Sequence, residues 1–98
     1  MMFTGTLLID VLLPGDSQSL KQKRAYVRPV IAALHRLDVA AAEVGEVDLH
    51  GRAEFGVAVV ARDSHHVTDV LDSCERLIVG RPELELLSVQ RRLHSSED

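Results

Sequence analysis

The chain has 98 residues, enough for one hydrophobic core that buries about two thirds of the unfolded surface, and too few for a second domain within it. Its 46% hydrophobic and 27% charged content excludes a disordered chain, and with only two Phe, one Tyr and no Trp the core must be aliphatic. The net charge of −4 excludes a wholly basic nucleic-acid coat, yet Ser19 to Arg36 holds five bases (Lys21, Lys23, Arg24, Arg28, Arg36) and no acid, leaving all 15 acids and six bases to the rest of the chain.

Cys74 is the single cysteine, so no intrachain disulfide and no thiolate metal site with paired spacing can form. The start, Met1-Met2-Phe3-Thr4, has no basic leader segment, and no apolar run approaches the ~20 residues of a membrane span. A cytoplasmic, non-membrane protein is expected.

Residues 3 to 13 place Phe3, Gly5, Leu7, Ile9, Val11 and Leu13 on one parity and Thr4, Thr6 and Asp10 on the other, the pattern of a strand with one buried face. Pro14-Gly15-Asp16 ends it. Ser19 and Gln22 have the spacing of a capping box, which starts a helix at Leu20. Leu20, Val27, Val30, Ile31, Leu34 and Leu37 then fall within about 120° of the helical wheel, an apolar stripe. Pro29 lies opposite that stripe and is expected to kink the helix or delay its regular part.

Two strands are expected over 39 to 48 and 52 to 61, joined near Leu49-His50-Gly51, with Ala53, Phe55, Val57 and Val59 facing inward in the second. Asp63 or Ser64 can cap a second helix, whose Val67, Val70, Leu71, Cys74, Leu77 and Ile78 form another stripe and which Gly80 and Pro82 stop. A last strand is expected over 84 to 93, followed by a short polar tail, 94 to 98, expected to fray. The order βαββαβ predicts an α+β, ferredoxin-like sandwich over 1 to 93: a four-stranded antiparallel sheet with both helices on one face.

Ser19-Leu20-Lys21 with Lys23-Arg24, Ala42-Glu43-Val44, and Asp48 followed by Arg52-Ala53-Glu54 and Gly56 together carry a family resemblance over nearly the whole chain. In these segments the chain resembles the YlxP-like family of small bacterial proteins of unassigned function. That resemblance implies a ferredoxin-like fold and, because members are commonly encoded beside translation factors and ribosome-binding factor A, a role near RNA or the ribosome. The chain departs from the family pattern at Gln18, where a His is frequent, and at Gly51, where a polar residue is usual.

The candidate binding residues are Ser19, Lys21, Lys23, Arg24, Arg28, His35 and Arg52. On the wheel Lys21, Arg24, Arg28 and His35 fall within about 60° of one another, a ridge along one flank of the first helix. Clustered cations of this kind suit a phosphate backbone, and the helix start at Ser19 adds backbone donors. The plain alternative is a solvated helix face partly paired with acids elsewhere. Lys23 projects toward the apolar side and is expected to snorkel past the sheet edge toward the same anion. Arg52 has Glu54 two residues on, a same-face ion pair in the structural reading and an anion contact in the functional one.

An RNA reader that stacks bases on an open sheet needs exposed aromatics, but Phe3 and Phe55 have inward parity and Tyr26 is helical. The open face instead offers Thr4, Thr6, Leu8, Asp10, Ala58 and Val60, and Leu8, Ala58 and Val60 suit a homodimer interface. A phosphate-ester or acyl-phosphate hydrolase needs an arginine-bearing phosphate loop and a water-positioning asparagine; the loop Pro14 to Ser19 has no Arg and one Gly, and the chain has no Asn. No catalytic residue is therefore assigned. His65-His66, and Asp48 with His50, give too few convergent ligands for a metal, Cys74 falls in the buried stripe, and no cofactor motif is present.

Overall fold

The computed structural model describes residues 1 to 97. The elements run β1 (Phe3–Leu12), α1 (Leu20–His35), β2 (Ala40–Val44), β3 (Arg52–Ala61), α2 (Ser64–Val79) and β4 (Glu85–Ser95). The sheet has four strands in the order β2-β3-β1-β4, and every neighbouring pair is antiparallel. Each helix connects strands that are not neighbours, which is the ferredoxin-like arrangement the parity and wheel patterns predict.

The core lies between the helices and one sheet face, with Leu7, Ile9, Val11, Ala53, Phe55 and Val57 from the sheet against Val27, Val30, Leu34, Val67, Leu71, Cys74 and Ile78 from the helices. Burial raises the pKa of the Cys74 thiol, so this cysteine behaves as a small apolar side chain.

The element ends differ from the sequence expectation where backbone chemistry intervenes. β2 stops at Val44 rather than 48 because Gly45 takes φ 72° and turns the chain, after which Leu49 N–H bonds the Glu46 carbonyl. α1 runs unbroken through Pro29, which is exposed, so the expected kink does not interrupt the helix. β4 continues to Ser95: His94 and Ser95 pair with Thr4 and Phe3, and Ser96 N–H donates to the Met2 carbonyl at 2.7 Å. The expected tail is thus tied to β1 through residue 96, while its last residue, Asp98, lies outside the described residues.

Gly5 is required by close packing. A Cβ there would lie 2.5 Å from Val67 Cγ1 and 2.8 Å from Leu71 Cδ1, so α2 sits on β1 at a distance that only glycine allows. Gly5→Ala is expected to destabilise the fold by about 1–3 kcal/mol in denaturant unfolding. An unchanged midpoint would show that α2 packs further from the sheet.

Candidate nucleic-acid interface

Ser19 initiates α1 as expected, its hydroxyl accepting from Gln22 N–H at 3.1 Å. The return bond goes one residue further back than in a simple capping box: Gln22 Oε1 accepts from Gln18 N–H at 2.9 Å. Ser19 is therefore a helix cap with its oxygen engaged, which identifies it as a positioning residue at the start of the basic segment. The preceding loop is held in the same way. Ser17 Oγ donates to the His50 carbonyl, Tyr26 O–H donates to Asp16 at 2.7 Å, and Gln18 Nε2 donates to the Gly15 carbonyl. The Asp16 carboxylate that accepts this bond raises the Tyr26 pKa.

Lys23 corrects the expectation made for it. Its side chain is 2% exposed, its ammonium lies 2.7 Å from Glu43 Oε2, and it donates to the Val47 carbonyl at 2.9 Å. The Glu43 contact is ionic rather than a directed hydrogen bond, since Oε2 has no partner in hydrogen-bonding geometry. Lys23 therefore does not snorkel toward an external anion; it joins α1 to β2 and to the β2–β3 loop. The signal was present in the sequence, because Glu43 shares inward parity with Val39 and Ala41, and an acid on a buried strand face demands a cation.

His35 also turns toward β2, its Nε2 lying 3.1 Å from the Ala41 carbonyl. The wheel places it on the ridge, but this bond commits it to the edge strand.

Arg52 is paired with Asp10 on β1 rather than with Glu54. Its Nε donates to both carboxylate oxygens at 2.9 and 3.1 Å, and Nη2 also donates to Oδ2. The partners are one diagonal apart in the β1–β3 register, where Arg52 faces Leu12 and Asp10 faces Glu54. Hydrogen bonding from Arg52, supported by its charge, lowers the Asp10 pKa despite burial, and the same pairing raises that of Arg52.

Lys21, Arg24 and Arg28 remain. They surround one shallow concavity of about 370 Å³ whose floor includes Ala25 and Pro29. All three are exposed, and among the described residues none has an acidic partner. Lys23, Arg52, Arg81 and Arg91 all have one. Arg62, Arg76 and Arg92 also lack an acid, but they stand singly on other parts of the chain, and Arg36 follows α1 at its C-cap. The alternative in which acids from elsewhere partly pair the ridge does not describe Lys21, Arg24 and Arg28.

Leu8, Ala58 and Val60 lie on the opposite side of the molecule, on the sheet face away from both helices, with Thr4 facing Val60 and Thr6 facing Ala58. Among the described residues no three His, Cys, Asp or Glu side chains converge as metal ligands, and no helix is long and apolar enough to cross a membrane.

The fold and this surface define a small ferredoxin-like domain with a basic helix face. The chain belongs to the family described as protein of unknown function DUF503, whose pattern matches residues 4–91. Among solved structures it is similar to the de novo designed protein Foldit4, at 14% identity and TM-score 0.58, covering 98% of this chain and 99% of that one. It is also similar to the de novo designed protein LFR1 1 with ferredoxin fold, solved by NMR, at 12% identity and TM-score 0.55, covering 98% and 88%. These likenesses concern the fold. Among curated proteins none matches.

Two outcomes follow from the ion pairs. Lys23→Met should cost about 3 kcal/mol by leaving Glu43 half-buried without its cation, and Lys23→Met with Glu43→Leu should recover most of that loss, read by thermal unfolding. Because the folded Asp10 carboxyl is the stronger acid, the stability it contributes is complete above its ordinary value of 3.8 and is lost as pH falls through its lower folded value. Asp10→Asn should therefore lower stability at neutral pH, and its difference from the wild type should shrink below that value. A constant difference across the acid range would contradict the pairing.

Proposed function

We propose that this chain is a non-enzymatic RNA-binding domain that associates with the ribosome through the exposed flank of α1. The observation that carries this reading is the placement of Lys21, Arg24 and Arg28 around one concavity, unpaired, in a chain whose net charge is −4. Unneutralised, adjacent cations repel one another and gain most by exchanging mobile counterions for phosphate oxygens, which releases the counterions condensed on RNA. Arginine suits the role because its planar fork meets phosphate oxygens in pairs.

The YlxP-like resemblance adds a translational context, which supports a cytoplasmic location, where a lone buried thiol such as Cys74 is at home. The loop before α1 supports the non-enzymatic part of the reading. Ser17, Ser19, Gln18 and Asp16 are each engaged in holding the loop or the helix, and none of them is left facing a phosphate cradle with an arginine beside it.

Arg24→Glu with Arg28→Glu should abolish co-sedimentation with ribosomes at low salt without loss of helical signal. For a single-stranded RNA, three phosphate contacts predict a slope of log affinity against log salt of about −2, which Arg24→Gln with Arg28→Gln should reduce to about −0.7. Association that survives charge reversal, or that shows no salt dependence, would overturn the reading.

A further inference from the structure

Both helices pack on one sheet face, so among the described residues no element covers the other. On that open face Leu8 of β1 is in register with Gly56 of β3, which in turn faces Ala42 of β2, and Thr6, Ala58 and Ala40 form the next row. These rows consist mostly of small side chains, so the surface is low and even. Val60 is 61% exposed at one end of it, a large apolar group left in water.

The charges around this field are arranged about Leu8. Glu54 faces Asp10, two residues after Leu8 and one strand to one side; Arg92 faces Thr6, two residues before it and one strand to the other side. Among the described residues neither Glu54 nor Arg92 has an ion-pair partner within the chain. A two-fold axis parallel to the sheet, midway between two stacked copies and crossing over Leu8, exchanges these two corners, so that Arg92 of each copy stands over Glu54 of the other. In these two charges the face is complementary to itself.

The area is also sufficient. Strands ~4.8 Å apart with a rise of ~3.4 Å per residue give this face roughly 600 Å² per copy, or about 1,200 Å² for a pair, the lower end of a specific interface. We infer that the chain forms a homodimer by stacking the open sheet faces of two copies, with Leu8 at the centre of the contact, Val60 at the end of its apolar field and reciprocal Arg92–Glu54 pairs at the corners. The interface lies opposite α1 and does not depend on what the basic ridge binds. At the low end of interface size, association is expected in the micromolar range of transient pairs.

Sedimentation velocity over a concentration series tests this directly. The wild type should shift from monomer to dimer between about 1 and 100 μM. Val60→Glu and Leu8→Glu should each remain monomeric at 100 μM, with circular dichroism showing the fold retained. Glu54→Arg and Arg92→Glu should each weaken the dimer about tenfold or more, and the double swap Glu54→Arg with Arg92→Glu should restore it, because the reciprocal pair is re-formed with its signs exchanged. A wild type that stays monomeric at 100 μM, including one that instead binds a different protein on this face, would overturn the proposal. So would a double swap that associates no better than either single variant.

Discussion

The buried ammonium of Lys23 sets the rotation of α1 about its axis. Held between Glu43 and the Val47 carbonyl, it lies in the middle of the stripe formed by Val27, Val30 and Leu34. With that stripe against the sheet, residues 21, 24 and 28 have one direction open to them, about 100° or more from Lys23 on the wheel and toward solvent. Removing a charge from water is costly, so the arrangement persists only because both a carboxylate and a carbonyl oxygen meet the ammonium. His35, bonded to the Ala41 carbonyl one helix length away, holds the other end of α1 to the same strand. The basic ridge is thus a consequence of how the helix is laced to β2.

The distribution of charge over the molecule follows a simple division. Arg62, Arg76 and Arg92 have no acid among the described residues, whereas four cations are matched: Lys23 by Glu43, Arg52 by Asp10, Arg81 by Glu83, and Arg91 by Asp72 and Glu75. Those on the outer flank of α1 are not. An acidic protein that needed only solubility would have acids available to interleave there; instead the segment from Ser19 to Arg36 contains none. The ridge and the open sheet lie on opposite sides of the sandwich, so two copies stacked through their sheets present both ridges outward.

Much of the fold is legible in the sequence because each element announces itself by period and punctuation. The inward parity of Leu7, Ile9 and Val11, the cap at Ser19 and the stripe of Val67, Leu71, Cys74 and Ile78 all hold in the structure. What periodicity does not convey is pairing across the chain. The wheel places His35 beside Arg28 but is silent about the Ala41 carbonyl that claims it. Proximity in sequence joins Arg52 to Glu54, whereas the diagonal register of β1 and β3 joins it to Asp10. Lys23 and Glu43 stand 20 residues apart, and only the packing of α1 on β2 makes them neighbours. The segments that carry the family resemblance include Lys23, Glu43 and Arg52, all members of these structural pairs, so part of that pattern describes how the fold is fastened.

The central claim is that RNA meets this protein on the outer flank of α1. Titrating a short single-stranded RNA into isotopically labelled protein, with amide chemical shifts recorded at low salt, addresses it residue by residue. The account predicts perturbations concentrated on residues 19 to 28 of α1 and fading as salt is raised, with the sheet residues around Leu8, Ala58 and Val60 unmoved. Perturbations centred on the open sheet, or none at α1 under conditions where RNA binds, would contradict it.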